Sequence, residues 1–264
     1  MITTSAGKGQ RRALKLSNAL NDAVVIVTGA SSGIGAATAR EFARHGAQVI
    51  LAARRIEELE IQVRAITDEE NRALAIPTDI TDVTQVTRLV EQTIEQFGRV
   101  DVLVNNAGVG SLKPFFKESA EYINQALDVN LRGAMLATHA VLPGMLERRR
   151  GTIISVASVA GHVAISPLYS STKFGLRGFT LALRRELSRR GVSVSLVSPG
   201  YIKTDLNKKG SRIPMPGPEL VARKIADLAV KPRREVFVPV YYGPFVGIVN
   251  TFPWLVDLVM PPGK

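Results

Sequence analysis

Apolar and polar positions follow two different rhythms along this chain. The runs VVIVTG (24–29), AQVILAAR (47–54), RALAIPTD (72–79), VDVLVNNAG (100–108), GTIISVAS (151–158), VSVSLVSPG (192–200) and EVFVPV (235–240) are short, rich in β-branched residues and nearly continuous in apolar character. Strands of that kind are buried on both faces, which predicts a parallel sheet. Between them, segments such as IGAATAREFARHG and QVTRLVEQTIEQFG repeat apolar residues at helical spacing and stop at Gly46 and Gly98. Strand and helix alternate throughout. The pattern predicts an α/β fold, a doubly wound parallel sheet of about seven strands in a single domain, with ligands beyond the C-terminal ends of the strands.

The length of 264 residues suits one such domain. Apolar residues make up 45% and charged residues 22%, the balance of an ordinary globular chain. Cysteine is absent, which excludes disulfides, thiolate catalysis and cysteine-ligated metal and fits a cytoplasmic protein. Residues 1–21 read as a polar arm with a short helix around Ala13 to Leu20, and they hold no apolar run of signal-peptide length. The main domain is expected over 22–240 and an apolar extension over 241–264.

A net charge of +11, from 34 basic and 23 acidic residues, invites nucleic acid, acidic lipid or a phosphorylated ligand. The clusters argue for less. Arg148 to Arg150 precede Gly151, and Arg189 with Arg190 precede Gly191, where cations complement the negative end of a helix and glycine ends it. Aromatic residues are 6% and do not interleave with the basic runs, so nucleic acid is not the expected partner.

The first strand end carries TGASSGIG, with Gly29, Gly33 and Gly35 among Ser31, Ser32 and Ile34. Glycine permits a tight turn and close backbone approach, and free N–H groups at a helix start favour phosphate. The spacing departs from the usual G-x-G-x-x-G of dinucleotide sites. In chain order there follow NNAG (105–108), Asn130, Ser158 in SVASVAG, and YSSTK, in which Tyr169 stands four residues before Lys173. That spacing puts both side chains on one helix face.

This ordered set resembles the classical short-chain dehydrogenase/reductases over roughly residues 22–240. The resemblance implies a Rossmann-type sheet of order 3-2-1-4-5-6-7 and hydride transfer between a nicotinamide and a carbonyl or alcohol carbon. It assigns Tyr169 as acid/base, Ser158 as holder of the substrate oxygen, Lys173 as partner of the nicotinamide ribose, and Asn130 as anchor of a relay water. A nearby ammonium and an oxidised nicotinamide should both lower the Tyr169 pKa. Ser158 lies 11 residues before Tyr169, a shorter interval than most members show, and Ser155 is the alternative. The same resemblance places Asp79 and Ile80 at the adenine, Asn106, Ala107 and Gly108 along the cofactor, and Pro199, Gly200, Ile202 and Thr204 at the nicotinamide end.

Where members that use NAD usually carry an aspartate, this chain has Ala53 followed by Arg54 and Arg55. A guanidinium matches phosphate geometry, so Arg54 points to NADP(H). None of the three histidines has a partner at metal-ligand spacing and no metal is expected; His45 and His139 read as structural, and His162 as a candidate for the pocket border. Residues 205–217 fall at the family's variable substrate lid. Residues 236–256 carry no charge. They suit core cover, a subunit interface of a homo-oligomer, or peripheral membrane contact through Phe245, Phe252, Trp254 and Leu255. A lipophilic carbonyl or alcohol is the expected substrate, and a nucleotide-binding regulatory protein without turnover is the rival reading.

Overall fold

The computed structural model describes residues 14–69, 71–110, 113–204 and 215–259. Seven strands form one parallel sheet: β1 (Val24–Thr28), β2 (Gln48–Ala53), β3 (Arg72–Pro77), β4 (Val102–Asn105), β5 (Gly151–Val156), β6 (Val192–Pro199) and β7 (Glu235–Val238). Their order is β3-β2-β1-β4-β5-β6-β7. Each predicted apolar run supplies one of these strands, and the order is the one that the resemblance implied. The chain runs outward from β1 to β3, returns to β4 and then runs outward the other way. The reversal opens a crevice between β1 and β4.

Both faces of the sheet are covered because successive side chains point to opposite sides. In β1, Val25 and Val27 enter one core while Val24 and Ile26 enter the other. The first core takes Phe42 of α1 (Gly33–Arg44), Leu59 and Ile66 of α2 (Ile56–Thr67), and Val221 and Ile225 of α7 (Glu219–Val230). Residues 14–20 are helical and plant Leu16 and Leu20 in this core; residues 1–13 of the expected arm lie outside the described residues. The second core takes Leu89 of α3 (Val83–Phe97), Met145 of α5 (Gly133–Glu147) and Leu183 of α6 (Pro167–Glu186). Each fully buried aliphatic side chain of this kind contributes ~1.5–3 kcal/mol.

Helix boundaries follow local chemistry. Asp82 caps α3, accepting from the amides of Thr84 and Gln85, and Gly98 ends that helix at φ +76°. Ser119 caps α4 (Ala120–Leu127) through the amide of Tyr122. One expectation about glycine needs correction. Gly151 does not end α5; the left-handed residue there is Arg149 at φ +49°, and Gly151 begins β5. A Cβ on Gly151 would lie 2.4 Å from Met145 Sδ, so that glycine serves close packing. Gly191 does adopt a left-handed φ, +80°.

After β7 come α8 (Tyr242–Thr251) and α9 (Trp254–Val259). Pro244 falls in the first turn of α8, where its missing N–H has no helical partner to lose. Val246 and Val249 bury against Val159 and Val163, while Tyr241, Phe245, Ile248, Phe252 and Trp254 stay exposed. No helix among the described residues is long and apolar enough to cross a membrane.

Candidate active site

The glycine turn between β1 and α1 is built for close approach. Gly29 (φ +66°) and Gly33 (φ +56°) need left-handed backbone, and a Cβ on Gly35 would lie 2.2 Å from the Gly29 carbonyl oxygen. Asn106 fastens this turn to the end of β4, its Nδ2 donating to the carbonyls of Thr28 (2.9 Å) and Gly29 (3.2 Å). Thr28 Oγ1 in turn accepts from the amides of Asn106 and Ala107. Ser32 stands at the N-cap of α1, yet its side chain caps nothing. By contrast with α3 and α4, the first amides of α1 keep their donors for something outside the helix. A cradle of backbone N–H groups that any Cβ would fill fits the phosphates of a dinucleotide.

At the end of β2, Arg54 is exposed and has no hydrogen-bond or ion-pair partner among the described residues. Arg55, which the sequence reading named without choosing, is the one that reaches over the turn. It donates to Ser31 Oγ at 3.1 Å and pairs with Glu58 at 2.9 Å. Asp79 Oδ1 is engaged in its own loop, accepting from Thr81 N (2.9 Å) and Thr81 Oγ1 (2.8 Å). Ile80 is buried where a Cβ on Gly133 would lie 2.8 Å from its Cγ2. Thr204 lies over Gly33, its methyl 3.4 Å from where a Cβ would be, and Ile202 is buried beneath. Lys203 N donates to Pro216 O at 2.9 Å, closing the base of the expected lid. Residues 205–214 of that lid lie outside the described residues.

Ser158, Tyr169, Lys173 and Asn130 come together at the ends of β4 and β5. Ser158 opens a short 3-10 turn (Val159–Gly161), accepts from Ala160 N at 3.1 Å, and lies by the Tyr169 phenol, whose ionised form it favours. Ser155, the alternative, is fully buried in β5 with its Oγ unpaired and is not part of this group. Lys173 is buried, and its Nζ donates to the Val156 carbonyl at 3.1 Å. Burial lowers its pKa to about 8. Asn130 sits in a π-helical turn (Asp128–Arg132), a distortion frequent at functional sites. Its Oδ1 accepts from Val109 N (2.7 Å), and its Nδ2 donates to Val109 O (2.9 Å) and Thr172 Oγ1 (3.0 Å). Gly108 packs against this corner, where a Cβ would lie 3.3 Å from Asn130 Oδ1 and 3.6 Å from Lys173 Nζ.

The expected lowering of the Tyr169 pKa is not found in the protein by itself. Burial around the hydroxyl pushes the pKa up, and the nearby Ser158 hydroxyl offsets only part of that. The Lys173 ammonium lies 5.6 Å from the ring centre, a cation–π distance. Nor does His162 border an open pocket. It is buried, with Nε2 2.9 Å from Glu235 Oε1 and 3.0 Å from Ser198 Oγ. At the expected nicotinamide end, Pro199 closes β6, and Gly200 lies under the Tyr242 ring, 2.0 Å from where a Cβ would stand. No sequence signal marked Tyr242, because its partner is 42 positions away.

Comparison with known proteins leads to the same chemistry. The family model described as short chain dehydrogenase matches residues 23–212. An uncharacterised oxidoreductase of Staphylococcus saprophyticus is 40% identical over 193 residues, 71% of this chain and 82% of that protein. A 3-oxoacyl-[acyl-carrier-protein] reductase of Synechocystis is 36% identical over 226 residues, 81% and 92% of the two chains. Among solved structures, an actinorhodin polyketide ketoreductase variant with NADPH superimposes with a TM-score of 0.77 at 32% identity, over 82% of this chain and 95% of that one. A metagenomic short-chain oxidoreductase in complex with NADP gives a TM-score of 0.73 at 34% identity, over 83% and 97%.

Proposed function

Because the chain belongs to the short-chain dehydrogenase/reductase family, we propose that it is an NADP(H)-dependent oxidoreductase acting between a carbonyl and an alcohol, on a lipophilic substrate. The observation that carries this reading is the convergence of Ser158, Tyr169 and Lys173 at one mouth beside an uncapped glycine turn. The nicotinamide supplies or accepts the hydride. Gly29, Ser31, Ser32, Gly33, Ile34 and Gly35 hold the pyrophosphate, and Arg54 and Arg55 meet the 2′-phosphate. Asn106, Ala107 and Gly108 line the cleft, with Asp79 and Ile80 towards the base. Pro199, Gly200, Ile202 and Thr204 confine the nicotinamide end.

The rest is proton handling. Ser158 holds the substrate oxygen and orients the Tyr169 hydroxyl, which delivers a proton in reduction and takes one in oxidation. Lys173 has one short acceptor in Val156, so further donors remain for ribose hydroxyls. Asn130 fixes Thr172, the neighbour of Lys173, and so sets the reach of the ammonium. A nucleotide-binding protein without turnover has no use for this full set.

The lipophilic assignment is supported by the wall next to Ser158. Val159, Val163, Val246 and Val249 form one apolar cluster there, with Ile165, Phe237 and Tyr242 packed on it. On this reading α8 belongs to the substrate end. The outward aromatic face of the C-terminal helices, Phe245, Phe252 and Trp254, suits a homo-oligomer contact or a membrane surface. A panel of carbonyls and alcohols with NADPH, NADH, NADP and NAD tests the reading. It predicts NADPH-dependent reduction, faster for bulky apolar carbonyls than for small polar ones; the absence of turnover with any pair would favour the regulatory alternative.

A further inference from the structure

Outside the residues assigned above, one mostly buried ionic group joins the Ser158 turn, the helix of Tyr169 and Lys173, and the end of β6. Glu235 starts β7, and its side chain is 14% exposed. Its Oε1 lies 2.9 Å from His162 Nε2 and 3.2 Å from Arg177 Nε. An ionised carboxylate only accepts, so His162 must carry its proton on Nε2. His162 ends the turn that begins at Ser158, and Arg177 lies one helical turn after Lys173 on α6. The same imidazole nitrogen stands 3.0 Å from Ser198 Oγ, just before Pro199 and Gly200, and its ring packs on Phe237 at 4.8 Å between centres.

We propose that Glu235 is a positioning residue whose carboxylate clamps the Ser158 turn onto the helix carrying Tyr169 and Lys173. The inference rests on the proposed catalytic reading of those three side chains. Directional links to α6 lie on either side of the turn, Lys173 Nζ on the Val156 carbonyl before it and the Ile165 and Ser166 amides on Ser170 Oγ after it; the contacts of the turn itself are mostly apolar. Val159 and Val163 make apolar contacts with Val246 and Val249, which resist separation but not sliding. Gly161 lies flat on α6, where a Cβ would come within 2.8 Å of the Lys173 carbonyl oxygen. A small residue on a smooth surface sets a distance and gives no lateral hold at that point. The His162–Glu235–Arg177 bridge adds a directional tie at the far end of the turn, since both contacts end on one oxygen and one group belongs to each segment. Burial raises the Glu235 pKa, but His162 and Arg177 more than offset this and hold it below the usual carboxylate value. The bridge is therefore intact at neutral pH.

The test is a double-mutant cycle on the full chain, reading kcat for an accepted carbonyl and NADPH affinity by fluorescence. Glu235→Ala should lower kcat by about 10–100-fold, the scale of a misplaced reacting group, with NADPH affinity kept within about twofold. In a Ser158→Ala background the same change should add less than about threefold, because the group it positions is gone. Glu235→Gln, which keeps an acceptor oxygen, should recover most of the loss, and Arg177→Met, which removes one arm of the bridge, carries the cycle if the alanine variant does not fold. Equal losses in both backgrounds, or an unchanged kcat, would overturn the clamp. A wild-type protein with no carbonyl turnover would instead overturn the catalytic reading and the clamp with it.

Discussion

Lys173 Nζ stands 5.6 Å from the centre of the Tyr169 ring and 3.1 Å from the Val156 carbonyl oxygen. Among the described residues it has no carboxylate partner. A buried ammonium with one acceptor is under-satisfied, which is why burial lowers its pKa to about 8. The site is completed by what binds there, and the protein by itself bears the strain.

Replacing that ammonium should separate stability from function. The Lys173 pKa is lower folded, about 8, than its ordinary value of 10.5, so the folded state binds the proton less well. The penalty is complete below about pH 8 and fades as pH rises to about 10.5. Lys173→Met should therefore stabilise the cofactor-free protein at pH 7, by no more than the few kcal/mol such a shift represents, so that its Tm rises, and should abolish turnover. Thermal unfolding at pH 7 and pH 10 checks both sign and window: the gain should shrink at pH 10.

Cofactor choice should depend on two arginines. Arg54→Ala and Arg55→Ala should each weaken NADPH binding by ~1–3 kcal/mol, the scale of a charged hydrogen bond, and barely affect NADH. Fluorescence titration with both cofactors measures this. Equal losses for the two would show that the pair does not read the phosphate.

The glycine turn should tolerate no side chain. A methyl at position 35 would sit 2.2 Å from a backbone oxygen and 2.6 Å from Asn106 Nδ2. Gly35→Ala should lose NADPH and NADH binding alike, by about tenfold or more. The readout is the same titration, and selective loss of NADPH would contradict it.

The seven strands could be read because each is an apolar run buried on two faces, so its pattern does not depend on its neighbours. Strand order could not be read that way, since no local pattern says which run lies beside which, and it came with the resemblance. Tyr169 and Lys173 were legible because i and i+4 already fix one face. Glu235 was not, because it meets His162 73 positions away and Arg177 58 positions away. The sequence singled out Arg54 for the phosphate; only the path of the backbone shows that Arg55 is the one directed to Ser31. The tail showed its lack of charge, but which of its residues pack on Val159 depended on where α8 docks.

The tail should matter to bulky substrates first. Truncation after Gly243 removes Val246 and Val249 and uncovers Val159 and Val163 beside Ser158. In a truncated chain that keeps its circular dichroism and NADPH binding, KM should rise by about tenfold for polycyclic or long-chain carbonyls, a loss of ~1.4 kcal/mol. Small ketones should change far less. Similar KM values for both classes in the full and truncated chains would remove the tail from the pocket wall.

The most direct measurement is steady-state reduction by Tyr169→Phe beside the wild type, with NADPH affinity measured on the same samples. The substitution removes one hydroxyl from a ring whose packing and helix are unchanged. If Tyr169 is the acid that completes hydride transfer, kcat should fall by about 100-fold or more, with NADPH affinity and Tm close to wild type. A variant that binds NADPH and turns over at the wild-type rate would contradict the assignment.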